Sequence, residues 1–224
     1  MPIIFISTNR RFIEAVSRHG FDARLMDITD YGSDLTGPKP NRRTYYVSPA
    51  NSLCFMDGGI DYALSRIIFP NIERDVKSLV RQLGYRSKLG RAYLPIGSSV
   101  ILDRDQKSLV VAPTMLLPQN VATTKNAYYA TMAVLHNILV NRAEPPDEVD
   151  ILITSLCCGY GKMDEEVAAE QIMDGIRDFR DVRKYQPLIV DLDTVLCEPC
   201  LSEQPKLYQN SEFFDIDPMD IVRC

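Results

Sequence analysis

Short runs of apolar and β-branched residues alternate along this chain with segments whose apolar residues recur every three or four positions. Runs of that length fill buried strands, and that recurrence gives a helix one dry face and one wet face. The alternation restricts the chain to a layered α/β architecture. Residues 3–7 are expected as a strand, 9–19 as a helix stopped by Gly20, and 24–28 as a second strand. Residues 30–43, rich in Gly, Pro, Asp and Asn, are expected as a long loop, and 44–48 as a third strand. Ile60, Ala63, Leu64, Ile67 and Ile68 fall on one helical stripe that ends at Pro70. A second stripe, Ile72, Val76, Leu79, Val80 and Leu83, ends at Gly84. Residues 99–102 and 109–113 read as strands paired around a turn at 103–107. Tyr128, Met132, Leu135 and Leu139 mark a helix within 124–141. A strand at 151–155, a helix at 164–179 and a last strand at 188–192 follow. Some neighbouring strands are joined by hairpin-length links and others by helices, so the sheet is expected to be mixed.

The chain has 224 residues, 46% of them hydrophobic and 25% charged, enough for a full core without staples. One domain is expected over residues 1–193, with an irregular acidic tail over 194–224 that carries Pro199, Pro205 and Pro218. The formal net charge of −5 offers no counterion-release term. No nucleic-acid partner is therefore expected. No apolar run reaches the roughly 20 residues that span a bilayer, and no charged leader precedes Ile3, so neither a membrane anchor nor secretion is expected. Six cysteines in a chain of this length are too sparse for a disulfide scaffold. An intracellular protein with reduced thiols is expected. Cys197-Glu198-Pro199-Cys200 has metal-binding spacing but lacks two further ligands, so free thiols and no metal are expected there. His19, beside Gly20, and His136, in an apolar helix, are expected to be structural.

Three segments follow strand ends, where α/β sheets bind ligands. The first is Met26-Asp27-Ile28-Thr29. Its carboxylate can accept from an exocyclic amine of an adenine-like group, or simply cap a turn. The second runs from Ser48-Pro49-Ala50-Asn51 to Asp57-Gly58-Gly59-Ile60-Asp61. Glycines at a helix start let backbone approach a ligand, and the free N–H groups there attract phosphate. Asn51 can present an amide to a ribose hydroxyl. Asp61, in the first helical turn, is favoured by the helix dipole whatever else it does. The third is Ser155-Leu156-Cys157-Cys158-Gly159-Tyr160-Gly161-Lys162, again strand, glycine loop and helix. Cys157 and Cys158 there are open to two readings, a thiol pKa lowered by the helix start or simple loop packing.

In this order the three segments resemble the macro domain, an ADP-ribose-binding module. Its pattern is a strand ending in Gly-Asp-Ile-Thr, then Asn-Ala-Ala-Asn with a glycine run and Val-Asp, then a late Gly-Thr-Gly-type loop. Asp27-Ile28-Thr29 corresponds to the first of these. Ser48-Pro49-Ala50-Asn51 with Gly58-Gly59-Ile60-Asp61 corresponds to the second, and Cys157-Cys158-Gly159-Tyr160-Gly161 to the third. The resemblance spans about residues 2 to 192. It implies a three-layer α/β/α sandwich around a six- or seven-stranded mixed sheet, and a monomer. It also implies that Asp27 meets the adenine amine, with Ile28 beside it, and that Asn51 sits by the distal ribose. Gly58, Gly59 and Ile60 line the diphosphate and distal ribose from one side, while Cys158, Gly159, Tyr160 and Gly161 close from the other. Asp61 falls where the family's hydrolases activate or orient water.

The partner so implied is ADP-ribose or an ADP-ribosylated protein, with no cofactor. The chemistry implied is hydrolysis at the distal ribose of ADP-ribosyl-protein, O-acetyl-ADP-ribose or ADP-ribose-1″-phosphate; the alternative is a non-catalytic ADP-ribose reader. The sequence departs from the pattern at Asp57, which replaces the first glycine of a triplet, and at Ser48, which replaces the first Asn. Its third loop is shorter and its 30–43 loop longer than the family's.

Overall fold

The apolar run Ile3-Ile4-Phe5-Ile6, with Ser7 after it, forms strand β1, second from one edge of a sheet that is covered on both faces. The structure, a computed structural model, describes residues 3–31, 42–86 and 90–181. After β1 come helix α1 (Arg10–Ser17), strand β2 (Asp22–Leu25) and a 3-10 turn (Ile28–Asp30). Strand β3 (Arg43–Ser48) is followed by helix α2 (Gly59–Ala63), which continues as a wider π turn over Leu64–Ile68, and by helix α3 (Ile72–Leu83). Strands β4 (Val100–Arg104) and β5 (Lys107–Val111) form the expected hairpin. Helix α4 (Asn126–His136), extended by a π turn over Asn137–Asn141, leads to strand β6 (Val149–Ile153) and helix α5 (Glu165–Arg180).

The strand order is β2-β1-β6-β3-β5-β4. Every pairing is parallel except that of β4 with β5. Ile3 and Phe5 of β1, Tyr45 and Val47 of β3, and Ile151 and Ile153 of β6 point to one face, packed under α1, α4 and α5. Ile4, Ile6, Tyr46 and Leu152, from the same three strands, point to the other, packed under α2 and α3. The period of two in strand side chains thus feeds two cores, one above and one below the sheet. The protein is a three-layer α/β/α sandwich around a six-stranded mixed sheet, as the sequence predicts.

Element bounds move where polar side chains intervene. The second strand, expected over 24–28, ends at Leu25 because the Asp27 carboxylate accepts from the Thr29 N–H and hydroxyl and turns the chain. The sixth ends at Ile153, two residues before its expected end, leaving Thr154 and Ser155 at the sheet edge. The expected strand at 188–192 and the tail from Thr194, with Cys197 and Cys200, lie outside the described residues. Among the described residues, no helix is long and apolar enough to cross a membrane.

Phe12 of α1 is fully buried and meets Phe5 edge-on, with ring centroids 6.1 Å apart. Phe12→Ala is expected to destabilise the fold by about 3–5 kcal/mol, read from the shift of the urea midpoint.

Candidate functional site

Five parallel strands point their C-terminal ends to the same edge of the sheet, and a cleft of about 460 Å³ opens there. Residues after each of these strands line it: Ser7 and Thr8, Asp27, Asn51, Thr114, and Thr154 with Ser155. This is the usual ligand-binding edge of an α/β sheet.

The loop after β3 is held by its own asparagine. Asn51 is buried; its Oδ1 accepts from the N–H groups of Leu53 (3.0 Å) and Phe55 (3.4 Å), and its Nδ2 donates to the Phe55 carbonyl (3.3 Å). The loop is also tied to the segment after β5. Thr114 N–H donates to Ala50 O (3.0 Å), and Ser52 N–H donates to Met115 O (2.8 Å). Asn51 therefore lines the cleft, but its amide serves the loop that carries it. Cys54 adopts a left-handed φ of 58°, a conformation rare for a residue with a Cβ.

The loop after β6 is built round Gly161. A Cβ at this position would lie 2.3 Å from the Cys157 carbonyl oxygen and 2.8 Å from a Val121 methyl, so only glycine fits. Its carbonyl accepts from Val121 N–H at 2.8 Å. Cys157, at φ 67°, faces the cleft. Cys157 is also buried in the core, whereas Cys158, partly buried, directs its Sγ to the Leu156 carbonyl; neither Cys158 nor Gly161 lies on the cleft wall. Burial pushes both thiols up to about 12, the opposite of an activated thiolate, so loop packing is the reading of Cys157 and Cys158 that fits.

The two glycine loops meet. A Cβ on Gly58 would stand 3.5 Å from the Tyr160 ring, in ordinary van der Waals contact. Among the described residues, no acceptor meets the backbone N–H of Gly58, Gly59, Gly159 or Tyr160. All four residues line the cleft. Gly58 caps α2 in an extended conformation and Gly59 takes φ 54°, which aims the first turn of the helix at the opening. At the far end Asp27 keeps one oxygen on Thr29, while the other takes no hydrogen bond among the described residues. Ile28, also on the wall, is buried.

Asp61 stands inside the cleft, one oxygen accepting from the Ser48 hydroxyl at 2.6 Å. Desolvation raises its pKa from 3.8 to about 7; the Ser48 hydrogen bond opposes this, and the charges of Asp57 and Glu73 add to it. A carboxylate that titrates near neutrality is suited to general acid–base work. Among the described residues, no three His, Cys, Asp or Glu side chains are placed to hold a metal ion.

Sequence reasoning missed the grip of Ser48 on Asp61 and the hydroxyls of Ser7, Thr8, Thr114 and Thr154. Ser7-Thr8 follows a strand as Asp27 does, so the strand-end rule applied to β1 finds it. Thr114 came into view only with the pairing of β5 and β3.

Gly161→Ala is expected to cost about 3 kcal/mol, because a backbone carbonyl cannot yield to the new Cβ, and to lower the melting temperature accordingly. Asp61 yields a pH-linked prediction. Between pH 3.8 and about 7 the folded chain keeps a proton that the unfolded chain has released, so stability falls as pH rises through that window. Asp61→Asn is expected to raise the melting temperature above that of the natural chain at pH 8, with the gain vanishing near pH 4.

No protein-family model matches the chain. A protein of Aquifex aeolicus, described only as uncharacterized, is 27% identical over 155 residues, which cover 68% of this chain and 84% of that one. The chain is also similar to solved structures of an Oceanobacillus iheyensis macrodomain. The form with ADP is 15% identical, with a TM-score of 0.49 over 81% of this chain and 90% of that one. A glycine-to-valine mutant with ADPR is 13% identical, with a TM-score of 0.49 over 72% and 77%.

Proposed function

We propose that the cleft binds ADP-ribose and that Asp61 promotes hydrolysis of a substituent on its distal ribose. The observation that carries this reading is the junction of the two glycine loops. It gathers four backbone N–H groups that have no acceptor among the described residues, beside a carboxyl group pushed up to about 7. Backbone N–H groups in such a concavity bind a diphosphate without positive side chains, which suits an acidic protein. The adenine end lies towards Asp27, whose second oxygen, without a partner among the described residues, accepts from the exocyclic amine. The distal ribose then reaches Asp61.

The reaction follows from that placement. Water held by the Asp61 carboxylate attacks C1″, or the carbonyl of an ester carried by the ribose. Asp61 takes the water proton as the new C–O bond forms, and the leaving group departs with a proton from solvent. Substrates of this form are ADP-ribosyl-protein, O-acetyl-ADP-ribose and ADP-ribose-1″-phosphate. Asn51 favours a second reading: with its Oδ1 and one Nδ2 N–H engaged by its own loop, it offers the distal ribose a single remaining N–H, and the cleft then acts as a reader.

Calorimetry with ADP-ribose beside turnover of the three substrates separates the two readings. Hydrolysis predicts that Asp61→Asn lowers turnover at least about 100-fold while ADP-ribose affinity stays within a few-fold. Tight binding with no product from the natural chain establishes the reader, and no binding at all sinks both. Because an ionised Asp61 repels a diphosphate, affinity is expected to fall about threefold to fivefold from pH 6 to pH 8. That fall should be absent in Asp61→Asn.

A further inference from the structure

The charge inventory of the cleft is one-sided. Its wall carries Asp27, Asp57 and Asp61 and, among the described residues, no lysine, arginine or histidine. The nearby cation Lys77 is already engaged, its Nζ 2.6 Å from Glu73 and 3.9 Å above the Phe55 ring centroid. Asp57 is exposed at the cleft mouth, next to Gly58, and close enough to Asp61 for its charge to act on that carboxyl. Beside Gly58 is Tyr160, a residue 60% exposed, with a ring carbon that would stand 3.5 Å from a Cβ on Gly58.

Two carboxylates and an exposed aromatic ring, gathered about Gly58 on one cleft wall, match one kind of group. We propose that the ligand this cleft selects carries a planar, delocalised cation on its distal ribose. This rests on the preceding reading and narrows it. A pyridinium on C1″, as in NAD+, and a guanidinium on C1″, as in an ADP-ribosylated arginine, share that chemistry. Either lies over the Tyr160 ring with its charge towards Asp57 and Asp61, gaining from the aromatic face and from both carboxylates. A 1″-phosphate meets the same two acids as repulsion, and a neutral acyl ester gains nothing from them. Asp57 is thus the specificity-determining residue, and it stands where the family pattern has a neutral glycine.

NAD+ and NADH isolate the charge, since they differ by one hydride on the same ring. In calorimetry at pH 8 the natural chain is expected to bind NAD+ about tenfold tighter than NADH. Asp57→Asn, an exposed and isosteric change, is expected to bring that ratio to about two or less. A second arm compares an ADP-ribosyl-arginine peptide with the same peptide ADP-ribosylated on serine. Preference for the arginine form over NAD+ names a protein-linked guanidinium as the source, and the reverse names the free dinucleotide. The inference is overturned if ADP-ribose binds while NAD+ and NADH bind equally or not at all, or if the preference persists in Asp57→Asn. In those cases ADP-ribose binding itself stands. Failure of ADP-ribose to bind removes the preceding reading and this inference with it.

Discussion

Everything in this molecule depends on five strands running the same way. Parallel strands need covered faces, which draws α1, α4 and α5 to one side and α2 and α3 to the other. The same direction brings every strand's exit to one edge, where the backbone must find partners away from the ladder. Asn51 and the contacts between the β3 and β5 exits satisfy one loop, and the close approach of Gly161 to Cys157 compacts another. Among the described residues, the N–H groups of the glycine loops that find no acceptor belong to residues lining the cleft. The opening is thus a by-product of how the sheet is covered, and its polar character is set by which amides the loops fail to use.

Electrostatics divides the cleft. At the glycine junction the amides without acceptors among the described residues present partial positive charge, while Asp57 and Asp61, on either side of Gly58-Gly59-Ile60, present the opposite sign. Ser48 mediates between them: its hydroxyl steadies the ionised form of Asp61 in a place that otherwise favours the neutral one.

Much of this was legible in the sequence because it rests on local rules. The bounds of β1 and α3 match their expected ranges, since apolar spacing and Gly84 fix them without help from distant residues. The Ser48–Asp61 region and the glycine junction were also foreseeable as neighbours, because a strand, a loop and a helix start in sequence leave few ways to fold. Less legible was what each side chain does on arrival. Asn51 turns inward because Leu53 and Phe55 offer N–H groups at the right distance, which depends on the left-handed Cys54 between them. Cys157 is the more buried of the two cysteines and takes a positive φ, while the partly buried Cys158 turns its Sγ to the Leu156 carbonyl, an arrangement that no spacing rule announces.

The bonding of Asn51 has one more consequence. A loop already fixed by three side-chain hydrogen bonds and by ties to its neighbour incurs its ordering entropy during folding, before any ligand arrives. Such a wall behaves as a rigid template. It discriminates by shape as sharply as by charge, and it leaves little room for ligands that would need the loop to move.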